Sequence, residues 1–320
     1  MSETILVTGG AGYIGANIAA ALTQRPNTEV MVVDNFSSGD WRNLTQVDCQ
    51  LRACDCDAPE LLEMIADGVF SAIYHEAAIT DTTVMDQRLM VEVNTNAFAD
   101  ILEASQCSGT RVIYASSAGT YGNSAAPNTV GAGEAPENIY GFSKLAMDRI
   151  AKRFYDSHPA PIIGLRYFNV YGPGESHKNE KSGNKTASMI LQLYEQIKAG
   201  KQPRLFKYGE QKRDFVYIGD VVDANLAALD APRSGVCNVG SGLARSFNDI
   251  VDALSAALKC ELKAEYFDNP YDFYQNHTEA EMSHTQALLN WQPQWTLEKG
   301  VAAYVALLEQ GHRGPLATAA

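Results

Sequence analysis

Short apolar runs alternate with longer amphipathic stretches through the first half of the chain. The runs "TILVTG" (4–9), "EVMVVDN" (29–35), "QLRACDC" (50–56), "SAIYHEA" (71–77), "RVIYASS" (111–117) and "PIIGLRYFN" (161–169) are rich in β-branched residues and predict strands. Helical periodicity fills the intervals at 12–24, 58–67, 93–107 and 139–156. Strands that are apolar almost throughout must be covered on both faces. The pattern therefore predicts an α/β fold with a doubly wound parallel sheet. After residue 169 the alternation loosens. A helix over 186–199 ends at Gly200, strands follow at 213–220 and 235–241, and helices at 246–259, 283–289 and 297–309. Asp220 is placed to cap the helix after the 213–220 strand, with Asp223 in its first turn.

The glycines after the first strand sharpen this picture. In "VTGGAGYIGANI", Gly9, Gly12 and Gly15 form GxxGxxG, and Gly10, Gly12 and Gly15 also satisfy GxGxxG. A strand precedes them and a helix opens from them. That context brings a pyrophosphate close to the backbone and seats it at the positive end of a helix. Tyr13 and Ile14 lie along such a ligand through their backbone amides. Asp34 ends the second strand, where a carboxylate receives hydrogen bonds from an adenosine ribose. It favours NAD, while Arg42 eight residues on could offset it, so NAD and NADP both stay open. The expected organisation is a Rossmann-type dinucleotide-binding domain over 1–168 plus about 213–240. A smaller C-terminal α/β substrate domain takes about 169–212 and 241–320.

Composition narrows the partners. Lys and Arg number 25 against 38 Asp and Glu, a formal net charge of −13, which argues against nucleic acid. No apolar run has the length of a membrane span, and the N-terminus lacks the pattern of a signal peptide, so the chain reads as cytoplasmic. The six cysteines, Cys49, Cys54, Cys56, Cys107, Cys237 and Cys260, show no pairing or zinc spacing. They predict free thiols, mostly buried, and no metal. Trp41, Trp291 and Trp295 read as packing residues.

The chemistry concentrates in "ENIYGFSK", where Tyr140 and Lys144 stand four apart on one helix face. An ammonium beside a phenol favours the phenolate and lowers the tyrosine pKa towards neutrality. Ser117, in "YASSAGTYG" at the end of an earlier strand, supplies a further hydrogen bond to a substrate hydroxyl. With "TGGAGYIG", "HEAA" (75–78), "RYFNVYGP" (166–173) and "KRDFVYIGD" (212–220), the chain resembles the extended short-chain dehydrogenase/reductases that modify nucleotide sugars, over nearly its whole length. The resemblance implies that Tyr140 is the acid/base and Lys144 its partner, which also bonds the nicotinamide ribose. It implies one tightly bound NAD or NADP per chain. Asp55 and Cys56 would lie near the adenine, and Asn35, Glu76, Ala77, Ala78, Asn94 and Val170 would also contact the cofactor. His75 and Glu76 read as a hydrogen-bonded structural pair. The helices 93–107 and 139–156 would pair with a second subunit in a homo-oligomer.

Dehydratases of this class carry an Asp-Glu pair where this chain has Ala118 and Gly119, so an epimerase or reductase is favoured. Among the epimerases, "YFNVYGPGESHK", "HEAAITDTTVMD", "FYQNHTEAEMS" and "RLFKYGEQKRDFVY" are most similar to the ADP-L-glycero-D-manno-heptose 6-epimerases, which serve lipopolysaccharide synthesis. That branch would make Lys178 a second acid/base. Its substrate contacts would fall on Ser117, Asn169, Phe206, Arg213 and Tyr274, and on Gln192, which stands where the branch has a histidine. The stretch 179–185, with Lys181 and Lys185, is longer than in that branch, and these two lysines read as solvated. "VVDNFSSG" suits a UDP-hexose 4-epimerase as well, the alternative reading. A non-catalytic NAD(P)-binding protein is a third, disfavoured by an intact YxxxK.

Overall fold

The computed structural model describes residues 2–181, 186–268 and 276–318. The first half runs β1 (Glu3–Thr8), α1 (Tyr13–Leu22), β2 (Thr28–Val33), β3 (Gln50–Arg52), α2 (Pro59–Ala66), β4 (Ala72–His75), α3 (Gln87–Val91), α4 (Ala97–Ser108), β5 (Arg111–Ser117), α5 (Ile139–Phe154) and β6 (Ile162–Tyr167). The second half runs β7 (Asn169–Tyr171), α6 (His177–Lys181), α7 (Met189–Lys198), β8 (Arg204–Phe206), β9 (Lys212–Tyr217), α8 (Ile218–Leu229), β10 (Gly235–Val239), β11 (Ala244–Ser246), α9 (Phe247–Leu258), β12 (Glu265–Phe267), α10 (Ser283–Leu289) and α11 (Leu297–Glu309).

Seven strands form one parallel sheet in the order β10-β6-β5-β4-β1-β2-β3. Successive side chains alternate between its faces, which is why the inner strands are largely apolar, while the edge strand β3 is exposed. Ile5 and Val7 of β1 join the core under α1 and α8, while Leu6 joins the core under α2, α4 and α5. Strand order reverses between β1 and β4, so the loops leaving their carboxyl ends diverge and open a crevice.

The second half departs from expectation in its pairing. The apolar run 161–169 breaks at Phe168, and β7 leaves the large sheet to pair with β9. Strand β9 pairs on its other side with β11, antiparallel, so within 213–240 only α8 and β10 return to the large sheet. Strands β8, β11 and β12 have three residues each, too few to show a period in the sequence, and β8 pairs with β12. Asp220 does not cap α8. It sits inside the helix, and its carboxylate accepts from the backbone N–H groups of Gln294 (2.8 Å) and Trp295 (3.0 Å), tying the chain before α11 to α8. Burial pushes it up to about 6. All six thiols are free, but only Cys237 is buried, while Cys107 and Cys260 are exposed. Trp295 packs on Tyr217 and Trp291 is buried, whereas Trp41 lies on the surface.

Helix α5 is the element that positions the candidate chemistry, and its buried face carries charged groups, Lys144 and Asp148, beside the apolar Leu145, Met147 and Ala151. Asn138 caps it by accepting from Gly141 N (2.8 Å). Asp148 then accepts from Arg166 Nε (2.9 Å) and Nη2 (2.8 Å), from Tyr114 Oη (2.9 Å) and from Ser116 Oγ (3.1 Å). The third guanidinium nitrogen meets Glu134 at 2.7 Å. Helix, two strands and the 131–134 turn are thus joined by one buried ion network. Arg166→Met strands the Asp148 charge in the core and lowers stability by about 3–5 kcal/mol in urea unfolding. The double variant with Asp148→Leu recovers a large part of that loss.

Candidate active site

The crevice continues into a cavity of about 1060 Å³. Its floor is the glycine loop. Gly9 has φ +66°, and a Cβ there would lie 2.6 Å from Ala77 N, so only glycine lets β1 and β4 come this close. A Cβ on Gly15 would run into the Gly9 carbonyl oxygen. Gly12 is the N-cap of α1 and no side chain caps the helix, which leaves first-turn N–H groups facing the cavity for an anion. Asp34 lines the cavity and also braces the loop, with Oδ2 accepting from Ala11 N (2.9 Å) and Oδ1 from Phe36 N (2.8 Å). Asn35 donates to Asp55 Oδ1 (2.8 Å), joining two expected cofactor contacts on the cavity wall. These features fit a dinucleotide. Arg42 is engaged elsewhere: it holds Asp40 through two nitrogens at 2.9 Å each and Glu180 at 2.6 Å.

Gly9, Gly12, Tyr13, Ile14, Gly15, Asp34, Asn35, Asp55, Cys56, Glu76, Ala77, Ala78, Lys144 and Val170 all line this one cavity, as do Ser117, Tyr140, Lys178, Asn169, Gln192 and Phe206. Asn94 does not. It lies in a π-helical turn, Glu92–Asn96, that precedes α4. Its Oδ1 accepts from Ile79 N (2.8 Å), and its Nδ2 donates to Ile79 O (3.0 Å) and Ser143 Oγ (3.1 Å), so it holds the cavity wall from behind. Arg213 is likewise absent from the lining. Its Nη1 donates to the carbonyl of Lys212 at 2.8 Å. Tyr274 and Lys185 lie outside the described residues.

Ser117 and Tyr140 are brought together by the turn of Ala118–Tyr121, where Ser117 Oγ accepts from Gly119 N (3.0 Å) and bonds the phenol. Lys144 is 1 % exposed, and its Nζ donates to the carbonyl of Ala115 (2.8 Å). Burial lowers its pKa to about 8, against the opposing pull of Glu76 and Asp148. The expected depression of Tyr140 is not found in the protein's own residues. Burial raises it, the Ser117 hydrogen bond lowers it, and the charge of Glu76 raises it again.

His75 and Glu76 are not a bonded pair. Neighbours along a strand end point to opposite sides, and each finds its own partner. His75 Nδ1 meets Thr8 Oγ1 at 2.9 Å and the ring stacks on Phe98. Burial drops its pKa to about 3, so it is neutral. Glu76 Oε1 accepts from Tyr167 Oη at 2.9 Å.

Lys178 enters the cavity from α6. Its Nζ lies 5.2 Å from the centroid of the Tyr13 ring, and burial lowers its pKa while Glu175 opposes the shift. Glu175 is 1 % exposed and binds the start of α7, accepting from Ser188 N (2.6 Å) and Ser188 Oγ (2.7 Å). His177 Nδ1 is 3.2 Å from Asn43 Nδ2, which also donates to Ala11 O (3.1 Å), linking α6 to the glycine loop. Sequence reasoning missed Glu175, Asn43 and Tyr167. Only Glu175, two residues before His-Lys, had any local signal. Among the described residues no group of three His, Cys, Asp or Glu side chains gathers as metal ligands.

Comparison with known proteins agrees with this geometry. Residues 5–240 match the family described as NAD dependent epimerase/dehydratase. The chain is 36% identical to an ADP-L-glycero-D-manno-heptose-6-epimerase of Thiobacillus denitrificans, across 97% of this chain and 100% of that one. Its fold is similar to the crystal structure of a Helicobacter pylori ADP-L-glycero-D-manno-heptose-6-epimerase, with a TM-score of 0.89, 43% identity and 96% of each chain covered. It is also similar to a Thermotoga maritima UDP-glucose 4-epimerase solved with UDP-glucose, with a TM-score of 0.86, 27% identity, and 96% and 99% covered. No helix among the described residues is long and apolar enough to cross a membrane.

The placement of Asn94 has a measurable consequence. Asn94→Ala removes both bonds to Ile79 and the bond to Ser143, and should cost about 2–3 kcal/mol in chemical denaturation. Dinucleotide affinity should fall only as far as the cavity wall relaxes.

Proposed function

The chain belongs to the NAD-dependent epimerase/dehydratase family, and we propose that it inverts one secondary alcohol of a nucleotide sugar, converting ADP-D-glycero-D-manno-heptose to the L-glycero epimer. The observation that carries this reading is that Tyr140 and Lys178, on separate elements, line the same cavity as Lys144 and Ser117. The relatives named as heptose epimerases share more identity than the hexose epimerase does, which favours the heptose over a UDP-hexose.

Inversion through a ketone needs a proton acceptor and donor for each of two orientations of the sugar. When bound, NAD accepts the hydride and returns it. Tyr140 serves the substrate oxygen in one orientation, taking its proton as phenolate, with Ser117 holding that oxygen by a second hydrogen bond. Lys144 balances the phenolate charge. In the other orientation Lys178 gives and takes the proton. Burial suits it to this, because a lysine with a depressed pKa exchanges protons nearer neutral pH. Asn169, Gln192 and Phe206, which line the same cavity, would contact the sugar. The substrate unit would comprise about 169–212 and 241–320. A homo-oligomer across α4 and α5 belongs to the same proposal, and Phe142 of α5 and Leu89 of the neighbouring α3 are exposed apolar residues.

Incubation with ADP-D-glycero-D-manno-heptose, with the product read by NMR, should give the L-glycero epimer. Turnover of UDP-glucose in its place would sink the heptose assignment. Tyr140→Phe and Lys178→Ala should each lower turnover by roughly 10²–10⁴-fold with the fold intact. A near-normal rate in Lys178→Ala would instead point to a tyrosine-only 4-epimerase.

A further inference from the structure

One ionisable side chain in the cavity has no part in the chemistry above. Glu76 lines the wall together with Tyr140, Lys144 and Tyr167. Its carboxyl is held in place. Tyr167 Oη donates to Glu76 Oε1 at 2.9 Å, and the same hydroxyl is bonded to the Asn225 side chain at 2.9–3.1 Å. Asn225 is fixed in turn by donating to Val221 O (2.8 Å) within α8. A carboxyl braced by a three-residue chain from β6 and α8 is a built feature of the site.

We infer that Glu76 is a positioning residue for the Tyr140–Lys144 pair, its carboxyl held by Tyr167 so that its charge bears on both. The inference rests on the assignment of Tyr140 and Lys144 as the acid/base pair.

Lys144 and Tyr140 face Glu76 from α5, Tyr167 from β6 and Tyr74 from β4, and the adjacent His75 is neutral. Asp148, which also acts on Lys144, is committed to Arg166. Glu76 itself is poised. Burial raises it to about 7, with the Tyr167 hydrogen bond and the charge of Lys144 pulling the other way. As an anion it stabilises the ammonium of Lys144 and opposes the phenolate of Tyr140. Protonated, it leaves the ammonium to the phenolate alone. The charge on Glu76 thus decides which of two net-neutral arrangements the corner adopts: carboxylate with ammonium, or phenolate with ammonium.

The sign of a substitution follows. Glu76→Gln deletes a negative charge beside both groups, so both should titrate at lower pH. The limb of the kcat–pH profile that reports Tyr140 and the limb that reports Lys144 should both move down by about one pH unit. Tyr167→Phe removes the hydrogen bond that favours ionised Glu76 and should move the limbs in the same direction by less, which provides a second variant should the first fold poorly. Bound dinucleotide, measured after denaturation, checks that each variant retains its cofactor. A lower rate with unmoved limbs in both variants means that Glu76 only supports the wall, and the inference fails. Full turnover in Tyr140→Phe would instead overturn the acid/base assignment itself, so the two failures are distinct.

Discussion

The ammonium of Lys144 is buried under the carboxyl edge of the sheet, and much of the surrounding structure follows from keeping it there. Removing an ammonium from water costs several kcal/mol even after relaxation. One carbonyl, that of Ala115, accepts directly from it. The remaining compensation comes from carboxyl groups one helical turn or one strand away, Asp148 and Glu76. Asp148 would be an uncompensated charge of its own without Arg166, and Arg166 is completed by Glu134. Helix α5 therefore cannot be covered by an ordinary apolar face. Its residues at 140, 144 and 148 form a polar stripe at four-residue spacing, pressed against strands whose own residues supply the counterparts.

That constraint explains which parts of the molecule could be read from the chain. The glycine loop and the Tyr140–Lys144 pair are local: each is a spacing within a dozen residues, imposed by a turn or a helix face. The parallel sheet was legible because strands buried on both faces have no polar alternation to confuse them. Partnerships across the fold were not legible. Nothing near Glu76 points to Tyr167, ninety-one residues on, and nothing near Asp220 points to the backbone of Gln294 and Trp295. Asn94, expected at the cofactor only from the resemblance, sits in a π-helical turn and bonds Ile79 and Ser143, partners that no local pattern announces. Arg213 reads as a phosphate ligand from its position at the start of an apolar strand. The pairing of β9 with β7 and β11, which no periodicity reveals, settles where that strand lies.

The same logic sorts the cluster of positive charge in "ESHKNEKSGNK". Among the described residues, bonds from several elements converge on 175–178. Gly172 N and Ser188 reach Glu175, Asn43 reaches His177, and the Lys178 backbone closes a turn on Glu175 O at 3.0 Å. Ser188 caps α7, so Glu175 joins the start of one cavity-lining helix to the turn before another. Lys178 is thus set by its neighbours on the N-terminal side and by Tyr13 of the glycine loop, whose ring centroid lies 5.2 Å from its Nζ. Asn179 then crosses to Glu195 of α7 at 2.9 Å, and Thr186 Oγ1 returns to Lys178 O at 3.3 Å, so the two ends of the 179–185 stretch are held together at its base. The bonds at Asn179 and Thr186 therefore tie Lys178 to the stretch of wall formed by Thr186, Ala187 and Gln192, so the position of the lysine in the cavity depends on α7 as well as on the glycine loop.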